Sequence, residues 1–311
     1  YFSIYFYVKI VLGDVMLIMD NKLNKMLEEF FAKNDVKDIK EANEKLQEFI
    51  LKYNAGMIDY ENTPLDDAYE LLNKATAARN VKDAKRFAEQ AYKKSKACVD
   101  AAIFLADIEE NFLEKEKILN EAIEYEKKRL EKEKYFGKDN IGDFYGLFET
   151  RPYIRALYFK ADLFLLEGKI GQAMNICKEI LRLNEHDNTG ARYVLMAIYA
   201  YFENEEEMLK LYKQYNEDNL EMLFPLFILY YKLGDDKKAI KYLDMINKEN
   251  PHFVKFFKGN IKQNDKLIPG TYLMGDSSEV LMYFDKYDFL ISTVVTIRDF
   301  VLEHSKNKKT K

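Results

Sequence analysis

Two arginines, Arg151 and Arg155, are the residues of this sequence best placed to bind a charged ligand. They lie four positions apart where Thr150 and the proline after Arg151 predict the start of a helix, so both guanidinium groups should share one face. Paired guanidinium groups bind carboxylates and phosphates well, which makes an anion-binding site one hypothesis. In the other hypothesis Glu149, Asp162 or a neighbouring repeat neutralises both arginines in a structural network, and the sequence leaves the two open.

Catalytic and metal-binding patterns are missing from the rest of the sequence. His186, His252 and His304 are too few and too widely spaced for a metal site. No nucleophile elbow, Cys/His pair or glycine-rich phosphate loop is present. Cys98 and Cys177 fall on amphipathic segments, so we expect buried free thiols in a reducing cytoplasm. These observations predict a protein that is not an enzyme and uses neither cofactor nor metal.

The composition favours a helical protein. Of 311 residues 48% are hydrophobic, yet only 12 are glycine and 5 are proline, too few to separate the many short strands of an all-β fold. Leucine, lysine, glutamate and alanine, which favour helices, dominate instead. The net charge of −5 provides no attraction for a phosphate backbone, so we expect no nucleic-acid partner.

A repeated pattern of small and apolar residues organises the middle of the chain. Its clearest copies are 154–187 and 220–253, and in the first of these Ala173, Cys177 and Ile180 follow one another at helical spacing after a turn glycine. A weaker copy, 188–219, has Glu207 where a small residue is expected, which predicts looser packing. Self-similarity with a period of about 34 residues is typical of stacked tetratricopeptide helix pairs.

Two further copies, 65–98 and 99–130, bring the predicted number of units to five. Thr63 is the expected N-cap of the first helix, because a proline follows it directly. The apolar pattern of 21–53 predicts two more amphipathic helices before the repeats. We therefore assign 20–134 to N-terminal helices and the first two repeats.

The remaining segments do not follow the repeat. Segment 135–148 alternates aromatic residues with glycines, and it is either a functional loop folded onto a groove or a plug that seals two sub-stacks. Segment 149–253 contains three repeats. Segment 254–304 should form a helical cap, with helices at about 277–287 and 289–304 whose apolar residues cover the open end of the stack. We expect 305–311 to be a disordered tail.

The first residues, 1–19, are almost wholly apolar and aromatic. Lys9 and Asp14 interrupt the run, which is short for a membrane span, and no basic start or cleavage site for a signal peptide is present. We expect a translation-start artefact with Met16 or Met19 as the natural start, and a genuine membrane anchor is the alternative.

Several motifs beyond the repeat carry a resemblance to a known family. They are Glu149 to Leu157, Leu183 to Tyr193, Asn250 to Phe253 and Gly275 to Val280. Together they resemble a group of bacterial tetratricopeptide proteins similar to the suppressor-of-tumorigenicity protein family, over roughly residues 60 to 300. The chain departs from that family in Glu185 and His186 and in the absence of tryptophan. The resemblance implies an all-α superhelix of helix hairpins with no enzymatic activity attached.

In tetratricopeptide proteins the first helix of each pair lines a concave groove, which implies a binding surface here. Tyrosine and arginine are favoured there as anchors, since they bury a large area and keep a polar end. The predicted groove residues are Arg151, Arg155, Tyr158, Asp162, Arg192, Tyr199, Phe224, Tyr231 and Lys232.

From this surface we expect a cytoplasmic, non-catalytic scaffold or adaptor that binds a protein or a peptide and does not associate with membranes. One alternative is a peptide-responsive regulatory receptor, which would need an output domain. The other is a membrane-tethered scaffold, if segment 1–19 is genuine.

Overall fold

The computed structural model describes residues 38–262 and 271–307, together with Leu267 and some positions between 22 and 34. The apolar segment 1–19 and the last four residues lie outside the described residues. In the described part of the chain the secondary structure is helical, and the only β-type pairing is an isolated contact of Gly142 and Asp143 with Asn184. The prediction of an all-α protein built from helix hairpins is confirmed.

The helices between 38 and 262 and between 271 and 307 are numbered here in chain order. They are α1 (Ile39–Asn54), α2 (Pro64–Thr76), α3 (Val81–Lys94), α4 (Val99–Ile108), α5 (Phe112–Lys132), a 3-10 turn (Phe148–Thr150), α6 (Arg151–Leu166), α7 (Ile170–Leu183), α8 (Ala191–Tyr201), α9 (Glu205–Tyr215), α10 (Leu220–Lys232), α11 (Asp236–Glu249), α12 (Phe253–Phe257), α13 (Ser277–Lys286), α14 (Asp288–Ile291) and α15 (Ile297–Asn307).

The chain divides into two compact units, one ending at Glu133 and the other beginning at Lys134. In the first unit α2 pairs with α3 and α4 pairs with α5. Thr63 caps α2 as expected: its hydroxyl accepts from the backbone N–H of Asp66, whose carboxylate accepts from the N–H of Thr63. Ala68, Ala75 and the other alanines of the predicted repeat are buried, so the two backbones approach closely.

In the second unit the three predicted repeats are the pairs α6/α7, α8/α9 and α10/α11. Gly168 and Gly234 occupy the left-handed region in the first and third turns, with φ of 71° and 73°. Glu203 takes the equivalent place in the second turn with φ of 57°. This conformation costs free energy for a residue with a Cβ atom. Its presence at Glu203 indicates that the connection between the two helices of a pair requires it, whether or not the residue is glycine.

The weaker repeat differs from its neighbours in the way α9 packs. Only Met208 and Leu211 are buried in that helix, whereas α7 buries five residues. Met208, one position after Glu207, points into the interior where the other repeats have an alanine. A long flexible side chain therefore replaces the small residue, and Glu207 stays partly exposed.

The C-terminal region corrects three expectations. The predicted helix 289–304 is interrupted between α14 and α15, where a run of five Ser, Thr and Val residues has low helix propensity. Helix α15 continues to Asn307, so residues 305–307 are helical and not part of a disordered tail. Val295 does not cover the stack either, because its side chain is 88% exposed.

None of the helices in the described ranges is long and apolar enough to cross a lipid bilayer.

Candidate functional site

One face of the second unit contains several of the predicted groove residues, and a later segment of the same chain lies on it. We call the side of α6, α8 and α10 that carries Tyr158, Tyr201, Phe224 and Tyr231 the helix-A face. Residues 277–304, named the C-terminal segment below, contact all three helices of this face. The predicted cap therefore lies along the helix-A face.

The first contact is a cluster of aromatic rings around Phe224. This residue is fully buried. The rings of Tyr283 and Phe284 from α13 each lie 5.3 Å from its ring in edge-on geometry, and Phe253 lies 5.6 Å away. Phe284 also stacks on Phe256 with a ring distance of 4.0 Å. In this conformation Phe224 holds the C-terminal segment and is not open to another molecule.

The second contact is a polar slot that receives the only lysine of α13. The Nζ atom of Lys286 donates a hydrogen bond of 3.2 Å to the hydroxyl of Tyr158 on α6. Asp162 and Glu221 add negative charge around this ammonium group. Neither carboxylate lies within the 4.0 Å of an ion pair with Lys286, and among the described residues the lysine has no other hydrogen bond.

The carboxylate of Asp162 is unusual within this slot. Its Oδ2 atom is buried and has no hydrogen-bond partner in the described structure. Burial raises the pKa of Asp162 to about 7, and the positive charge of Lys286 offsets part of that increase. The same burial raises the pKa values of Tyr158 and Cys177, which both lie near Asp162, so these two groups stay neutral at physiological pH.

Further contacts continue the docking along α8 and α10. The ring of Phe289 lies 6.0 Å from that of Tyr201, and the ring of Phe300 lies 5.0 Å from that of Tyr231. The hydroxyls of Tyr231 and Thr296 are 2.6 Å apart and share a hydrogen bond. Tilted and edge-on ring contacts and one hydrogen bond therefore hold this part of the segment.

The start of the C-terminal segment is anchored by a buried asparagine. Asn250 donates from its Nδ2 atom to the backbone oxygen of Asp276 at 2.9 Å and to Glu279 Oε2 at 2.7 Å. The same Glu279 oxygen accepts from the backbone N–H of Gly275 at 2.9 Å. Two sequence motifs that the resemblance singled out, at 250–253 and 275–280, are thus in direct contact.

The two arginines at the start of α6 have different surroundings. Arg151 donates from Nε to the backbone oxygen of Tyr145 at 2.7 Å, and its guanidinium lies 4.0 Å from the ring centre of Phe148. Arg155 is half-buried, and its side chain also has an interaction partner within the protein. Thr150 does not cap α6 as expected, because its hydroxyl donates to the backbone oxygens of Phe144 and Leu147.

Two other predicted groove residues hold adjacent repeats together. Arg192 donates from Nη1 to Asp187 Oδ2 at 2.9 Å and from Nη2 to Glu217 Oε1 at 3.1 Å. Lys232 donates to the backbone oxygens of Ala200 and Tyr201 at 3.1 and 2.7 Å, where α8 ends. Both side chains therefore satisfy groups of their own stack.

Tyr199, the remaining predicted groove residue, is buried in α8. The ammonium group of Lys178 on α7 lies 5.7 Å from the centre of its ring. Its contacts are thus with the preceding helix pair, and the pKa of its hydroxyl is raised to about 12 by burial.

The aromatic and glycine-rich loop 135–148 is ordered against the same unit. Phe144 is fully buried, and the ring of Phe136 lies 5.0 Å from it. The backbone N–H groups of Gly142 and Phe144 donate to the oxygen of Leu183 at 3.1 and 2.9 Å. The loop thus contacts the end of α7 through its backbone, and its Phe144 ring packs in the interior.

Side chains that could ligate a metal ion are not clustered in the part of the chain that the structure describes. Between 38 and 262 and between 271 and 307, no group of three or more His, Cys, Asp and Glu side chains could hold a metal ion. His304 contacts Asp244 at 2.8 Å on the outer side of the last repeat. Cys98 and Cys177 are buried free thiols, as predicted.

Sequence reasoning missed Tyr201, Glu221, Lys286 and Tyr287 as members of this site. The only available signal was a single lysine within the aromatic run Tyr283 to Tyr287. That run indicates burial, but local periodicity cannot say which helices cover it.

Comparisons of the chain with family models, with characterised proteins and with solved structures found no match.

Proposed function

We propose that this protein is a non-catalytic scaffold or adaptor that binds a protein or peptide segment through its helix-A face, and that its helix pairs are tetratricopeptide units. One observation supports this most directly. The face is already in contact with a polypeptide, because the C-terminal segment lies across α6, α8 and α10.

The chemistry of the helix-A face suits a helical or extended peptide. Phe224 and Tyr231 present rings that another aromatic side chain can pack against, and such rings contribute strongly to binding. Asp162 and Glu221 add negative charge in a partly desolvated slot, which favours a cationic residue of the guest. A groove with both features selects a sequence and does not simply bind any apolar chain.

The proposed place of action is the cytoplasm. Both cysteines are buried and unpaired, as is usual for proteins of a reducing compartment.

A displayed library of random peptides, selected on the immobilised full chain, tests this proposal. We expect enriched peptides that carry aromatic residues and bind with micromolar or tighter affinity. A photoreactive group placed in these peptides should cross-link to α6, α8 and α10. The proposal fails if no peptide is enriched, or if the cross-links fall on the outer helices α7, α9 and α11.

A further inference from the structure

The C-terminal segment shows what a guest of the helix-A face has to offer. It brings two aromatic rings to Phe224 and one ammonium group to Tyr158, all from the single helix α13. Tyr287, the next residue, donates from its hydroxyl to Glu221 Oε2 at 3.4 Å. The pattern from 283 to 287 is therefore two aromatic residues, a spacer, a lysine and a tyrosine.

The fit of this segment is incomplete in its polar part. Tyr283 is buried, yet its hydroxyl has no hydrogen-bond partner in the described structure, and the same holds for Oδ2 of Asp162. The single hydrogen bond of Lys286 uses one of three donors. Buried polar atoms without partners weaken an interaction, because the loss of water is not compensated.

The apolar part, in contrast, is well packed. The rings of Phe224, Phe253, Phe256, Tyr283 and Phe284 form one continuous cluster of edge-on and stacked pairs. A competing segment would therefore have to reproduce the aromatic contacts, and it would gain over the chain's own segment by satisfying the polar slot better.

We propose that the helix-A face recognises a partner helix that presents a lysine next to aromatic residues, and that the C-terminal segment is an internal mimic which this partner displaces. The proposal rests on the proposed function and names the chemistry of the guest. The lysine enters the slot between Tyr158, Asp162 and Glu221, and the aromatic residues pack on Phe224. Specificity comes from the slot, since the carboxylates favour a cation and disfavour an acidic residue.

The probe for this proposal is a fluorescent synthetic peptide with the sequence of residues 277–304, measured by anisotropy against variants of the full chain. The wild-type chain should bind it weakly, because its own segment competes at a high effective concentration. Lys286→Glu places a carboxylate beside Asp162 and Glu221 and should release the segment. We expect this variant to bind the peptide at least about 10-fold more tightly.

Matched controls separate the slot from a general charge effect. Lys237→Glu makes the same charge change on the exposed start of α11 and should leave peptide binding at the wild-type level. A peptide in which the lysine corresponding to Lys286 is alanine should bind the opened chain at least about 10-fold more weakly than the parent peptide. Circular dichroism checks that Lys286→Glu is folded. If it is not, Phe300→Ala, which removes the ring next to Tyr231, serves as the opened variant.

The possible results distinguish this inference from the proposed function. Equal binding of the lysine and alanine peptides overturns the slot. A dimer of the opened chain at micromolar concentration, with no peptide bound, also overturns it, because a second copy would then be the occupant. If library peptides bind the face but the 277–304 peptide does not compete with them, the inference fails and the proposed function stands. If no library peptide is enriched on the full chain, the proposed function itself fails.

Discussion

The Nζ atom of Lys286 lies 3.2 Å from the hydroxyl of Tyr158, which joins α13 to a helix that precedes it by 128 positions in sequence. This contact brings the C-terminal segment back to the first repeat of the second unit. It places a cation near the half-buried carboxylate of Asp162. The helix-A face therefore has an electrostatic centre as well as an aromatic one.

The contact between Phe224 and Phe284 should be measurable as a coupling energy. Each truncation to alanine alone should cost about 3 to 5 kcal/mol, as expected for a buried phenylalanine. Because the rings touch, the double variant should cost less than the sum, with a coupling of about 0.5 to 1.5 kcal/mol. Urea unfolding of the four proteins in the cycle measures it.

A control cycle pairs Phe224 with Phe144, which is equally buried but belongs to the separate ring cluster of loop 135–148. Its coupling should be close to zero. Equal couplings in the two cycles would mean that the first reports a general loss of cooperativity and not the contact itself.

Two glycines near the first turn of the second unit should respond to alanine in opposite ways. Gly168 has a φ of 71°, so Gly168→Ala should cost about 1 kcal/mol even though no atom lies near the added Cβ. Gly171 lies in α7 with ordinary φ and equally open surroundings. Gly171→Ala should therefore stabilise the fold, by about 0.5 kcal/mol.

Thermal unfolding of both variants gives the comparison directly. The opposite signs follow from backbone conformation alone, since neither alanine meets a neighbouring atom. A loss of stability in both variants would contradict the prediction, because it would mean that Gly171 does not have the ordinary helical backbone conformation of α7.

The pH dependence of stability should contain a contribution from Asp162. Its folded pKa of about 7 lies above the ordinary value of 3.8 because burial favours the neutral form. The protonated carboxyl therefore stabilises the folded state fully below about pH 4, and this contribution is lost as the pH rises through 7. The charged or titratable groups that face Asp162 are Tyr158, Cys177 and Lys286, and the pKa values of the first two are raised.

The comparison with Asp162→Asn isolates this effect, because asparagine resembles the neutral carboxyl and does not titrate. Urea midpoints measured at pH 4.5, 6 and 8 should show the wild type losing stability relative to the variant as the pH rises. Parallel curves would mean that Asp162 is ionised in the folded protein throughout this range.

Much of the local structure could be predicted from the sequence. The positions of the five helix pairs, the N-cap at Thr63 and the turns at Gly168 and Gly234 follow from residue types and spacing. These features depend on neighbours within a few positions of one another. The buried alanines of α2 and α3 are also predictable, because small residues at helical spacing allow the two helices of a pair to pack closely.

The expectations that required a correction depend on effects that the apolar pattern does not include. Thr150 stands at the start of α6, but its hydroxyl bonds to loop carbonyls that the sequence pattern does not reveal. The helix predicted at 289–304 fails at a run of β-branched residues, whereas α15 continues three residues past the predicted end. Apolar periodicity alone weighs neither effect.

The sequence by itself determined that this protein is built from helix hairpins, because helix propensity, small-residue spacing and turn residues act over short distances along the chain. Only the tertiary structure decided where the C-terminal segment lies. An aromatic run with one lysine can cover any apolar face of suitable shape, and the choice depends on Phe224, Tyr158 and Asp162, which come together only when the repeats stack. Tyr158, Phe224 and Tyr231, three of the residues that the sequence predicts for partner binding, are thus in contact with the chain's own C-terminal segment.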